Sequence, residues 1–225
     1  ERAIELYKKA EEKAESFSDF YGLADSIADT ERVGDKEWAK KIYRKAEKLA
    51  EISSDDFNDG IMLASSIYEK LNDKEWAKKI CKQVEEISES TSGYISLAQS
   101  ISSDLGDKKW AIELYKKAEE KAEDISDFFE LAQNVDDKEW AKRMYKEVEK
   151  KAEDFYDFRN LADSMYDYEI LDEKDWAKKI YKKAEEKAED CDEYECLAES
   201  IRDNLGDKKW AKLLEKKAKE LKDDD

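Results

Sequence analysis

Apolar residues recur along this chain at helical spacing, in two alternating versions. In the first version Trp38, Ala39, Ile42, Tyr43, Ala46 and Ala50 fall on one face at 3.6 residues per turn. Lys and Glu fill the remaining positions, often as i,i+4 neighbours that support a solvated helix face. The pattern predicts an amphipathic helix, here called type B. Trp38, Trp76, Trp110, Trp140, Trp176 and Trp210 are each followed by Ala, at spacings of 38, 34, 30, 36 and 34 residues. Residues 1–16 carry the same pattern without the Trp, with Ala3, Tyr7, Ala10 and Ala14 in matching slots.

Between the B segments lies the second version, aromatic-x-x-Leu-Ala-x-x-apolar. It reads Phe20, Leu23, Ala24, Ile27, then Tyr94, Leu97, Ala98, Ile101, then Phe128, Leu131, Ala132, Val135. It continues as Phe158, Leu161, Ala162, Met165 and Tyr194, Leu197, Ala198, Ile201. The second unit is looser, with Gly60 in the aromatic slot before Leu63, Ala64 and Ile67. These segments predict helices of type A. Ser18 and Ser126 stand near their starts, where helix-capping residues belong. The A-to-B joints are often Gly-Asp, as at Gly34-Asp35, Gly106-Asp107 and Gly206-Asp207. Gly ends one helix and Asp begins the next.

Short helices with one apolar face are not stable alone, so neighbouring units must stack. The expected fold is all-α: a lone B helix followed by six A–B pairs, about thirteen helices. The segments are 1–16, 17–51, 52–88, 89–122, 123–152, 153–188 and 189–225, one helical-repeat domain with the last pair as a C-terminal cap. The cap rests on Glu215, a charge in the slot that holds Tyr43, Cys81, Tyr115, Tyr145 and Tyr181 elsewhere. The unpaired 1–16 points to repeats upstream. From Leu131 to Asp137 is 6 residues, against 10 from Leu97 to Asp107. One helical turn is therefore missing from the fourth A helix.

The order aromatic-x-x-Leu-Ala-x-x-Ile, followed by Ala-x-x-x-Tyr at Ala39/Tyr43, Ala111/Tyr115 and Ala177/Tyr181, resembles the tetratricopeptide signature. The resemblance covers nearly the whole chain. It departs in lacking the Pro after helix B, in Ala replacing the Gly of helix A, and in its variable period, so Sel1-like geometry stays open. It implies a right-handed α-solenoid whose A helices line the concave face.

Composition fits a helical chain. Pro is absent and Gly occurs six times among 225 residues, while 25 aromatics argue against disorder. No apolar run approaches the roughly 18 residues of a membrane span. Three cysteines without a framework fit a reducing, cytoplasmic setting, although a chain starting at Glu1 leaves an upstream targeting segment open. Histidine is absent, which removes the commonest general base and transition-metal ligand.

Other chemistry is weak. Cys191 and Cys196 are five apart and point in different directions, so buried structural cysteine is favoured over a metal or redox pair. Asp55-Asp56 lack the alternating spacing of a calcium loop. Lys116-Lys117 alternate with Glu and read as a solvated face. The Trp row reads as packing, with Trp110→Ala costing about 3–5 kcal/mol. No phosphate loop or serine-nucleophile motif occurs. These observations predict a non-enzyme with no metal or cofactor.

The formal net charge of -18 is unevenly distributed. The A stretches together carry -25 and the remainder +7. With the geometry that the resemblance implies, the concave groove is acidic, most strongly toward the C-terminal half. Groove candidates are A-helix positions off the core stripe: Tyr21, Asp25, Asp29, Ile61, Ser65, Tyr68, Ile95, Gln99, Phe129, Gln133, Arg159, Asp163, Tyr166, Glu195, Glu199 and Arg202. Ile61, Ile95 and Phe129 share one apolar slot, either a dry strip in the groove or core against the next A helix. The expected function is a protein-interaction scaffold that takes a basic or amphipathic peptide or protein, with no nucleic acid or membrane as partner. The rival readings are an acidic nucleic-acid mimic that inhibits a DNA-binding protein and a purely structural, self-assembling array.

Overall fold

The computed structural model describes residues 2–50, 57–167 and 174–224. The Asp55-Asp56 cluster considered for calcium lies outside them. The described residues are all-helical. The helices are α1 (Arg2–Lys13), α2 (Phe17–Ala28), α3 (Lys36–Leu49), α4 (Asn58–Ser66), α5 (Lys74–Ile87), α6 (Thr91–Ser103) and α7 (Lys108–Lys121). They continue as α8 (Ile125–Asn134), α9 (Lys138–Lys151), α10 (Phe155–Asp167), α11 (Lys174–Lys187), α12 (Cys191–Ser200) and α13 (Lys208–Asp224). Thus α1 and the odd-numbered helices are type B, and the even-numbered helices are type A. Each A helix packs most extensively on the B helix that follows it. Close backbone approaches gather into two compact units, Glu1–Ala122 and Glu123–Asp225, each an all-α array of such pairs.

Local sequence explains where each helix starts and stops. Asp35, Asp73, Asp107, Asp137 and Asp207 each accept the backbone N–H of the Trp three residues on, satisfying a donor that the first turn leaves orphaned. At α2 and α8 the cap is reciprocal: Ser16 and Asp124 cap the first turn while Asp19 and Asp127 reach back to the cap N–H. Gly34, Gly106 and Gly206 take positive φ at the A-to-B joints, and Asn72 fills the same role in the second pair. The joint after the shortened α8 has no such residue. There Val135 leaves the helix in extended conformation, and Asp137 starts α9 two residues later.

The core of each pair is the two sequence stripes facing each other. Leu23, Ala24 and Ile27 of α2 meet Ala39, Ile42, Tyr43 and Ala46 of α3, all buried. Leu161 and Ala162 of α10 and Ala177, Ile180, Tyr181 and Ala184 of α11 repeat the arrangement. The Trp side chains differ from the sequence reading. Trp76 is buried at 5% exposure, but the other five are only half-buried. Four of those five, Trp38, Trp110, Trp176 and Trp210, lie at the mouth of the seam between successive B helices, and their indole N–H finds a polar partner there.

That partner is a repeating clamp. Trp38, Trp110, Trp176 and Trp210 donate Nε1–H to Glu11, Glu85, Glu149 and Glu185 of the preceding B helix, at 2.8, 2.9, 2.8 and 2.8 Å. The other oxygen of each carboxylate accepts from Lys45, Lys117, Lys183 or Lys217, at 2.6–2.7 Å. The same four ammonium groups sit 5.4–5.8 Å from the rings of Phe20, Tyr94, Phe158 and Tyr194. Each Lys thus ties the A aromatic of its own pair to the B helix before it.

Candidate functional site

The A helices approach one another through a polar seam beside the core stripe. In the first unit the Tyr21 hydroxyl is 2.8 Å from Ser66 Oγ, joining α2 to α4. Ser65 of α4 lies 3.1 Å from Ser100 Oγ and also donates to Asp104 at the end of α6. In the second unit Arg159 Nε donates to Ser200 Oγ at 3.1 Å, and Ser200 donates to Asp163 at 3.2 Å, joining α10 to α12. The seam therefore reuses one slot, occupied by Ser66, Ser100 and Ser200, as its hydroxyl bridge.

Several predicted groove residues thus face neighbouring helices. Asp25 accepts from the Tyr43 hydroxyl, and Asp163 accepts from Tyr181 at 2.6 Å and from Asn204 at 3.1 Å. Burial pushes both tyrosine hydroxyls well above their ordinary range. At Tyr43, Asp25 adds to that effect, whereas at Tyr181 a hydrogen bond from Asn204 opposes it and Asp163 adds to it. Asp29 accepts from the Glu31 N–H at 2.9 Å and pairs with Arg32, closing the turn after α2. Ile95 is core, at 1% exposure, whereas Ile61 and Phe129 of the same slot are half-buried. Tyr68 and Tyr166 are half-buried and Gln99 and Glu199 exposed. Glu195 pairs with Lys222 at 2.8 Å, and Arg202 pairs with Glu215 of α13.

The seam between α8 and α10 departs from this scheme. Ser164 occupies the bridging slot of α10, but its hydroxyl donates back to the Asn160 carbonyl at 2.8 Å. An open groove of about 380 Å³ lies between the two helices, lined by Ile125, Phe129, Glu130 and Gln133 of α8 and by Asp157 and Asn160 of α10. Phe129 is held by an edge-on contact with Tyr145 of α9, ring centres 5.9 Å apart at 86°. Asp157 is fixed by the Glu153 and Asp154 N–H groups at 2.9 and 3.4 Å. The groove therefore offers a fixed aromatic wall, two amides and two carboxylates within one side of the second unit. Of the sequence candidates it brings together Phe129 and Gln133. Ile125, Glu130, Asp157 and Asn160 were missed, because a groove wall follows from which seam fails to close, and no single-helix pattern encodes that.

A second open groove of about 600 Å³ lies between the B helices α5 and α7, lined by Lys78, Lys79, Lys82, Glu85, Asp107 and Trp110 among others. Its charges largely answer one another: Lys78 pairs with Asp107 at 3.1 Å, and Glu85 holds Trp110 and Lys117.

Cys81 is buried and Cys191 and Cys196 half-buried, all three as free thiols. Burial pushes the Cys81 thiol up to about 12, so it is no ready nucleophile. Among the described residues no group of three or more His, Cys, Asp or Glu side chains is arranged to hold a metal ion, and no helix is long and apolar enough to cross a membrane. No protein-family model matches the chain, nor does any curated protein or solved structure compared with it.

Proposed function

We propose that this tetratricopeptide-like chain is a non-catalytic interaction scaffold that takes a basic, amphipathic peptide against its A-helix face, with the α8–α10 groove as the anchoring point. The supporting observation is the seam left open there. Phe129 and Ile125 give a bound side chain an apolar wall, while Glu130 and Asp157 stand where a flanking Lys or Arg would be neutralised. The excess of carboxylates in the A stretches favours cationic partners by steering as well as by contact.

The reading is tested by fluorescence polarisation with labelled fifteen-residue peptides carrying leucines at i, i+3 and i+7 on a Lys-rich or a Glu-rich background. The Lys-rich peptide binds, added salt weakens it, and Phe129→Ser weakens it by at least roughly tenfold, the order expected for one lost aromatic anchor. Equal binding of the Glu-rich peptide, or indifference to Phe129→Ser, rejects the groove.

A further inference from the structure

The slot of Phe129 on α8 is held by Arg159 on α10, each two residues before the stripe leucine, Leu131 or Leu161. In the seam between α10 and α12 that guanidinium is seated. Arg159 Nε donates to Ser200 Oγ at 3.1 Å and lies 3.4 Å from the carboxylate of Asp163, one turn on. The matching positions of the open α8–α10 seam are Gln133 for Asp163 and Ser164 for Ser200. There Phe129 brings no cation, and Ser164 turns its hydroxyl back on its own helix. What is left is a set of acceptors without a donor. Asp157 Oδ2 takes the Glu153 and Asp154 N–H groups, whereas Oδ1 takes no hydrogen bond among the described residues. The side-chain amides of Gln133, half-buried, and Asn160, exposed, have no hydrogen-bond partner among them either.

We infer that the α8–α10 groove selects arginine over lysine as the anchoring side chain of its peptide ligand. This rests on the reading of that groove as the anchoring point and narrows it to one side-chain chemistry. A guanidinium carries five donors in one plane, enough to serve Asp157 Oδ1 and the Gln133 side-chain oxygen while its face lies on the Phe129 ring. An ammonium has three donors around a point, holds its water more strongly and has no flat face to lay on the ring. The ring is set for stacking, because the edge-on contact with Tyr145 fixes it. Glu130 supplies a second carboxylate beside it, so the arriving charge is neutralised as the Arg159 charge is by Asp163 in the next seam. The chain thus already shows, one repeat later, that this kind of seam accommodates a guanidinium.

The test is an arginine scan of the Lys-rich fifteen-residue peptide: each lysine is replaced singly by arginine, and each labelled peptide is titrated against the full chain by fluorescence polarisation. Arginine at one position raises the affinity roughly fivefold, the order of one cation–π contact. Citrulline at that position, which keeps the planar shape without the charge, loses the gain. Phe129→Leu keeps an apolar wall but removes the aromatic face, and it abolishes the arginine gain while the all-lysine peptide still binds. Asp157→Asn keeps one oxygen for the Glu153 and Asp154 N–H groups and puts an amide NH2 where Oδ1 stood, and it abolishes the gain as well. No gain at any position, or a gain that survives both Phe129→Leu and Asp157→Asn, overturns the arginine assignment. In that case the groove itself still stands if the all-lysine peptide binds and responds to Phe129→Ser. Failure of every peptide in the scan to bind overturns the groove and the arginine assignment together.

Discussion

The indole N–H of Trp110 donates to Glu85 at 2.9 Å across the seam between α5 and α7, while Trp76, one repeat earlier, has no such partner among the described residues. The acceptor slot before Trp76 belongs to Glu47, which pairs with Arg44 instead, at 3.0 Å. The Lys slot after it holds Gln83. In compensation Arg44 stacks on the Trp76 ring, 3.8 Å from its centre, and the ring is buried. The two tryptophans therefore stabilise the chain by different means. Trp76→Ala empties a core site and is expected to cost about 3–5 kcal/mol. Trp110→Ala removes a half-exposed ring and one charge-assisted hydrogen bond, about 1.5–3 kcal/mol. Urea melts of the two variants check the order, and a larger loss for Trp110→Ala contradicts it.

Two of the glycines inside A helices, Gly22 and Gly93, should respond oppositely to alanine. A Cβ on Gly22 of α2 meets nothing within 4 Å, so Gly22→Ala gains helix propensity and raises stability by about 0.5–1 kcal/mol. A Cβ on Gly93 of α6 comes 3.0 Å from the Phe57 ring and 3.0 Å from Ser90 Oγ, the hydroxyl that caps that helix. Gly93→Ala therefore loses the propensity gain to crowding, and its melting temperature falls at or below that of the parent. Thermal unfolding by circular dichroism separates the pair.

Thiol reactivity should divide two to one. Cys81 sits at 0% exposure with its thiol held near 12 by burial, whereas Cys191 and Cys196 are partly accessible. A chromogenic disulfide reagent at pH 8 is expected to titrate two thiols in the native protein and the third only after denaturant is added. Three thiols reacting natively at one rate would place Cys81 at the surface.

Acid should weaken the Asp caps that carry a lysine. A hydrogen bond from Lys78, joined by the Trp110 N–H, holds the Asp107 carboxyl below its ordinary 3.8, and Lys40 does the same for Asp73. A carboxylate with a depressed folded value stabilises the fold fully above the unfolded value, and the benefit is lost as pH falls through the folded one. Asp107→Asn is thus less stable than the parent at neutral pH, and the gap closes progressively below about pH 3.8. Stability curves of both proteins between pH 7 and pH 2 test this, and a gap independent of pH rejects the charge-based account.

The helix content, the A–B alternation and the paired core were legible because each rests on one helix's own periodicity. Leu23, Ile42 and Tyr181 lie in the core where a 3.6-residue stripe puts them. The loss of a turn at α8 was readable by counting residues, and so were the glycine joints. The seam chemistry was not readable. Asp25 and Asp163 look like solvated groove carboxylates on their own helices, but each is held by a tyrosine eighteen residues later. Likewise Ile61, Ile95 and Phe129 share a slot, yet only Ile95 is sealed, because burial there depends on how tightly the neighbouring helix closes.

The Trp–Glu–Lys clamp has a consequence for how such a chain can change in length. The two donors and their acceptor occupy fixed positions counted from the Asp caps: the indole three residues on, and in most units the ammonium ten and the carboxylate twelve residues on. A cut made at one Asp cap and rejoined at another therefore brings a carboxylate to the next indole in the original register. Modules that carry all three residues can be exchanged with the clamp kept, whereas the second module, with Gln83 in the Lys slot and Glu47 paired with Arg44 before its Trp76, does not bring it.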